Sequence, residues 1–65
     1  MTITPQLKTY ARYVRRQVRR HRSYIPGIRK TLSMTTDDVR MVAKLAGVDW
    51  VIYDPEGLKV IHFFE

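Results

Sequence analysis

The sequence predicts an α+β fold: two or three helices followed by a C-terminal β-hairpin. Three observations lead there. Apolar residues recur at helical spacing through residues 5–22, and a capped helical segment occupies 36–46. Two runs of β-branched and aromatic residues then flank the turn sequence Asp54-Pro55-Glu56-Gly57 within 49–64. The 65 residues make a single small domain. A chain of this size buries only about 60% of the surface that its unfolded form exposes. With no cysteine, neither a disulfide nor a Cys-ligated zinc can reinforce it. Good local structure and self-association are the supports that remain.

The first element is a helix over 5–22. Thr4 suits the N-cap and Pro5 the first helical position, where its missing N–H is not needed. Leu7, Tyr10, Ala11, Val14 and Val18 form one apolar stripe at about 100° per residue. His21 falls within that stripe, towards one side of it. Lys8, Arg12, Arg15, Arg16, Arg19, Arg20 and Arg22 fill an arc of roughly 160° on the opposite side. Like charges at i,i+4, as in Arg12/Arg16/Arg20 and Arg15/Arg19, weaken a helix by a few tenths of a kcal/mol each, about 0.2–0.5. That cost has no structural return, so the arc is read as a functional surface.

Pro26 biases Ile25 away from helical geometry and ends the first element. A short second helix is expected over 26–32, with Ile28, Leu32 and Thr31 inward and Arg29 and Lys30 outward. Thr35 with Asp38 three residues later is a capping-box variant that opens the helix 36–46, and Asp37 and Asp38 suit its positive end. Val39, Val42, Ala43 and Ala46 supply its apolar face, widened by Met41 and Leu45, and Gly47 stands where a left-handed C-cap belongs. In the hairpin, Asp54-Pro55-Glu56-Gly57 has the composition of a type I turn with Gly57 as a bulge. One register then pairs Tyr53 with Lys59, Val51 with Ile61 and Trp50 with His62. The alternative moves every partner by one. Either way one hairpin face covers the helices, because a two-stranded hairpin is not stable alone.

From Val39 to Phe64, through Lys44, Gly47, Trp50 and the Asp54–Gly57 turn, the chain resembles the end of a recognition helix and the two strands of a wing. With the short helix before it, the stretch from Pro26 to Phe64 is similar in order to a winged helix-turn-helix domain. The resemblance implies DNA binding, with Thr35, Thr36, Arg40 and Lys44 on the recognition helix. Asp37, Asp38 and the acidic turn lie where such a domain would meet phosphates, which favours the first helix as the working face.

Charge is divided by position. Residues 1–30 hold nine of the twelve Lys/Arg and no acid, while residues 31–65 hold three and all six acids, so the halves carry +9 and −3. Concentrated cationic charge repels itself unless an anionic partner meets it. Arginine predominates in the arc, and its planar fork suits phosphate or carboxylate. The sequence thus predicts a small non-enzymatic nucleic-acid-binding protein, a DNA-binding transcriptional regulator before an RNA binder. It would contact phosphates through Lys8, Arg12, Arg15, Arg16, Arg19, Arg20 and Arg22, with Arg29 and Lys30 in support. Base-edge reading wants Asn or Gln beside Arg, and beyond its first turn this helix offers only Gln17, near the apolar side. Phosphate contact is therefore expected to dominate. Tyr10, Tyr13 and Tyr24 interleave with the cations. Tyr10 is read as core with its hydroxyl at the rim, and Tyr13, flanking the arc, as the better candidate to stack a base. The alternative is a protein-interaction module, of the kind phages encode, that binds an acidic host protein and inhibits or redirects it.

Other classes find little support. No stretch approaches the roughly 20 apolar residues of a membrane span, and no membrane partner is expected. The basic, acid-free start is shared with mitochondrial presequences, but removing it would leave a fragment, so a cytoplasmic location is expected. His21 and His62 form no metal set, no cofactor motif is present, and no nucleophile–base pattern suggests catalysis. The hairpin is apolar on both faces, Trp50/Ile52 on one and Val51/Tyr53 on the other, and a two-layer domain covers only one. Trp50, Ile52, Phe63 and Phe64 are therefore candidates for a protein interface or a homodimer.

Overall fold

The computed structural model describes residues 5–65. Along them run α1 (Pro5–His21), β1 (Ser23–Tyr24), α2 (Ile28–Ser33), α3 (Thr36–Ala46), β2 (Asp49–Tyr53) and β3 (Val60–Phe64). Three helices and an antiparallel three-stranded sheet of order β1-β3-β2 make the α+β fold that the sequence predicts.

α1 keeps the expected stripe and stops one residue short of the 5–22 span; the N-cap candidate Thr4 lies outside the described residues. The stop comes at Arg22, whose φ of 68° is left-handed and whose N–H donates to the Val18 carbonyl at 2.6 Å. His21 is exposed at the helix end and does not join the apolar stripe. The reversal at Arg22 delivers the chain into β1, a strand with no expectation in the sequence. There Ser23 pairs with Phe64 and Tyr24 with Phe63.

α2 covers 28–33, not 26–32, and its facing differs from expectation. Ile28 and Leu32 are exposed, and Thr31 alone of the helix is buried. A helix of six residues has too few turns for a stripe to fix its rotation. Its placement is set by buried Pro26 and Thr31, whose hydroxyl makes a long 3.5 Å contact to the Pro26 carbonyl. α3 forms over 36–46 as expected. The Asp38 N–H donates to Thr35 Oγ1 at 3.1 Å, the Thr35 N–H donates to Asp38 Oδ2 at 3.0 Å, and Gly47 closes the helix at φ 72°. Both halves of the capping box are therefore present.

The hairpin takes the alternative register: Tyr53 pairs with Val60, Ile52 with Ile61, Val51 with His62 and Trp50 with Phe63. The turn is not type I, which would place Glu56 near φ −90°. Glu56 is left-handed at φ 55°, followed by Gly57 at 79°, in a short 3-10 turn over Pro55–Gly57. Lys59 leaves the ladder, because its Nζ donates to the Met34 carbonyl at 2.7 Å and ties the hairpin loop to the end of α2.

Val14 and Val18 from α1, Val39 and Val42 from α3, and Ile61 and Phe63 from β3 are fully buried and form the centre of the core. Tyr10, Tyr24, Trp50 and Ile52 pack around them. Strand alternation therefore turns Trp50, Ile52, Ile61 and Phe63 toward the helices, and Val51, Tyr53, Val60, His62 and Phe64 away. This corrects the interface set expected from the sequence. Phe63 is 0% exposed and Trp50 and Ile52 pack on the core, which leaves Phe64 alone of the four on the open face.

Candidate nucleic-acid interface

Packing against α3 and the sheet fixes the rotation of α1, because Ala11, Val14 and Val18 are buried on one side. The same rotation presents Lys8, Arg12, Arg15, Arg16, Arg19 and Arg20 to solvent, all exposed. Arg12, Arg15, Arg16, Arg19 and Arg20 line one shallow open groove along the helix. Lys8, Arg12 and Arg15 continue around α1 to a second depression, closed on the far side by Leu45 of α3. Among the described residues the one ion pair joins Arg40 to Asp37, so none of the α1 cations has a carboxylate partner there. A row of unneutralised guanidinium groups at helical spacing can accept several phosphates or carboxylates with charge-assisted, two-pronged hydrogen bonds.

Arg22 lies just beyond, exposed, in the left-handed position that closes α1. Glycine holds such a position without a Cβ penalty, so an arginine there keeps its side chain against a backbone preference.

On the other flank of the arc stands a tyrosine cluster. Tyr10 and Tyr13 stack with centroids 6.3 Å apart, and Tyr24 meets Tyr13 edge-on at 5.5 Å and Tyr10 at 6.4 Å. Tyr13 is 44% exposed and Tyr10 is half-buried against the core, as the sequence predicts, but the Tyr10 hydroxyl is buried rather than at the rim, because Tyr13, Tyr24 and Lys30 close around its ring. The ammonium of Lys30 sits 4.4 Å from the centre of the Tyr10 ring, so this cation from α2 is anchored beside α1. Gln6 and Thr9 complete a depression with Tyr10, Tyr13 and Lys30. Neither was singled out from the sequence, although Thr9 lies one turn before Tyr13 on the same helix side. Burial pushes the Tyr10 phenol far above its ordinary value of 10.0, and Tyr24 adds to the rise through a proximity that falls short of hydrogen-bond geometry. Arg29 is exposed on α2, apart from the α1 groove.

The residues assigned to a recognition helix are less free. Thr35 spends its hydroxyl on the α3 cap and Arg40 is bound to Asp37, which leaves Thr36 and Lys44 exposed without such ties. The Asp38 carboxylate is likewise committed to the cap. His62 lies on the open sheet face between Tyr53 and Phe64, and no group of three His, Cys, Asp or Glu side chains suited to a metal occurs among the described residues. None of the described helices is long and apolar enough to cross a membrane. Comparison with protein-family models, curated proteins and solved structures finds no match for the chain.

Proposed function

We propose that this is a small, non-enzymatic, cytoplasmic nucleic-acid-binding protein, a DNA-binding transcriptional regulator that grips phosphates through the arginine face of α1. The observation that carries this reading is the groove of Arg12, Arg15, Arg16, Arg19 and Arg20, exposed and without a carboxylate partner among the described residues. Kinship with winged helix-turn-helix domains is part of the proposal. Its support is the order helix, strand, two helices joined through Met34–Thr35, then hairpin, with the early strand closing the sheet beside β3. With Thr35 and Arg40 committed within α3, recognition runs through phosphate contact on α1 more than through base edges.

Fluorescence anisotropy with labelled duplex DNA and with single-stranded RNA, at about 50 to 200 mM salt, tests the reading. Duplex binding that weakens steeply across that range is the expected result. Replacing Arg15, Arg16, Arg19 and Arg20 together with Gln should abolish it while the circular dichroism spectrum is kept. Binding that survives in the folded quadruple variant would remove α1 from the interface. No binding of either nucleic acid at low salt would redirect the arginine face to an acidic protein.

A further inference from the structure

Four large apolar side chains stand out in solvent at one place. Ile25 is 57%, Ile28 66%, Leu32 73% and Leu58 60% exposed, and all four line a groove of about 280 Å³ between α2 and the hairpin loop. Val60 also lines it and belongs to the outward face of the sheet. Soluble monomers rarely leave so much contiguous apolar surface uncovered. Neither α2 nor the loop has a structural reason to present it, since Thr31 and Lys59 already dock these two segments on the body.

We infer that this groove is the seat of a second copy of the chain, packed about a two-fold axis that runs along it. The electrostatics of its two banks select that occupant. Beside the groove, α2 carries exposed Arg29 and the loop carries exposed Asp54 and Glu56, none of them in an ion pair among the described residues, while Lys59, the one charged residue that lines it, is held by the Met34 carbonyl. An axis between the banks lays α2 of each copy on the loop of the other, so that Arg29 meets the acidic loop twice. A nucleic acid would be repelled by that loop and would gain nothing from the isoleucines and leucines. The groove shares no lining residue with the arginine groove of α1, so a dimer keeps both basic faces open.

Sedimentation equilibrium of the full chain without nucleic acid tests the inference, and its outcome is independent of phosphate binding. The wild-type chain is expected to dimerise. Leu32→Asp and Leu58→Asp, both at exposed positions, should each weaken the dimer at least about tenfold with unchanged circular dichroism. Arg29→Glu should weaken it as well, and the double variant Arg29→Glu, Glu56→Arg should restore it. A chain that stays monomeric up to about 1 mM overturns the inference. So does a dimer indifferent to Leu32→Asp and Leu58→Asp, and a double variant no better than Arg29→Glu overturns the laying of α2 on the loop.

Discussion

Single side chains in this domain show where a local preference has been set aside. Arg22 and Glu56 hold left-handed backbone, at φ 68° and 55°, where glycine would be less strained. At Glu56 the return is the reversal of the hairpin; at Arg22 it is a cation kept next to the α1 groove. Lys59 stands outside the ladder, and its ammonium binds the Met34 carbonyl just past α2. Tyr10 is the opposite case. Its hydroxyl is buried with no hydrogen-bond partner among the described residues, while its ring packs on the core and under Lys30. Removing that hydroxyl leaves the packing and relieves an unsatisfied group, so Tyr10→Phe should match the wild type at pH 7 or exceed it by up to about 1 kcal/mol in urea unfolding. The two proteins should diverge in alkali. The unfolded phenol ionises near 10.0, whereas the folded one holds its proton to higher pH. As pH rises past 10.0 the unfolded state therefore gains an ionisation that the folded state resists, and the wild type loses stability faster than Tyr10→Phe. Thermal melts of both at pH 7 and pH 10.5 measure this. A wild type that is the more stable at pH 7 would mean that the hydroxyl is bonded after all.

At the level of elements, legibility in the sequence follows how local the determining interactions are. α3 was readable to the residue because the Thr35–Asp38 cap and Gly47 act within one turn of its ends. The stripe of α1 was readable because Leu7, Ala11, Val14 and Val18 repeat over several turns, and the same wheel placed every arginine outward. β1 was not readable: Ser23 and Tyr24 are a strand only because Phe64 and Phe63, forty residues away, pair with them. The hairpin register escaped for a similar reason, since it sets Ile61 and Phe63 with Trp50 and Ile52 on the face that packs on the helices. The interface residues went astray with it, because burial of Phe63 depends on the sheet closing over α1 and α3. In α2 the Ile28/Leu32 pattern suggested an inward face, and the structure turns it out. The charge on α1 leads to a prediction at this scale. Arg12–Arg16, Arg16–Arg20 and Arg15–Arg19 are repulsive i,i+4 pairs, each costing about 0.2–0.5 kcal/mol. Arg16→Gln removes two of the three, leaves Arg19 and Arg20 at the carbonyl end of α1, and should stabilise the domain by about 0.4–1 kcal/mol in low-salt melts. The gain should shrink as salt screens the wild-type repulsion. An Arg16→Gln variant less stable than the wild type would show that this arginine contributes to the fold, and would weaken the case that it is held there for a ligand.

For the molecule as a whole, the division of charge along the chain becomes a division in space. The acid-free half folds into α1, β1 and the start of α2, with its cations outward, while the acids lie on α3, the hairpin and the C-terminal residue. Asp37 is charge-paired with Arg40 within α3, and the Asp38 carboxylate sits at the α3 cap, against the positive end of that helix. On the proposed reading this surface meets the phosphate backbone of any duplex, and the strength of binding resides in counterion release. With one phosphate neutralised by each of the five arginines of the groove, log K should fall against log salt with a slope of about −4.5, or roughly 500-fold from about 50 to 200 mM. Each single Arg→Gln change in the groove should flatten that slope by about 0.9 and weaken binding to unrelated duplexes alike. Lys44→Gln on α3 separates the alternatives. If α1 alone meets the duplex, this change leaves slope and sequence preference where they were. If α3 enters a groove as a recognition helix, Lys44→Gln changes the ranking of duplex sequences, and the arginine face becomes its support. Anisotropy titrations of the wild type, Arg16→Gln and Lys44→Gln against three duplexes of unrelated sequence, at four salt concentrations, distinguish the two.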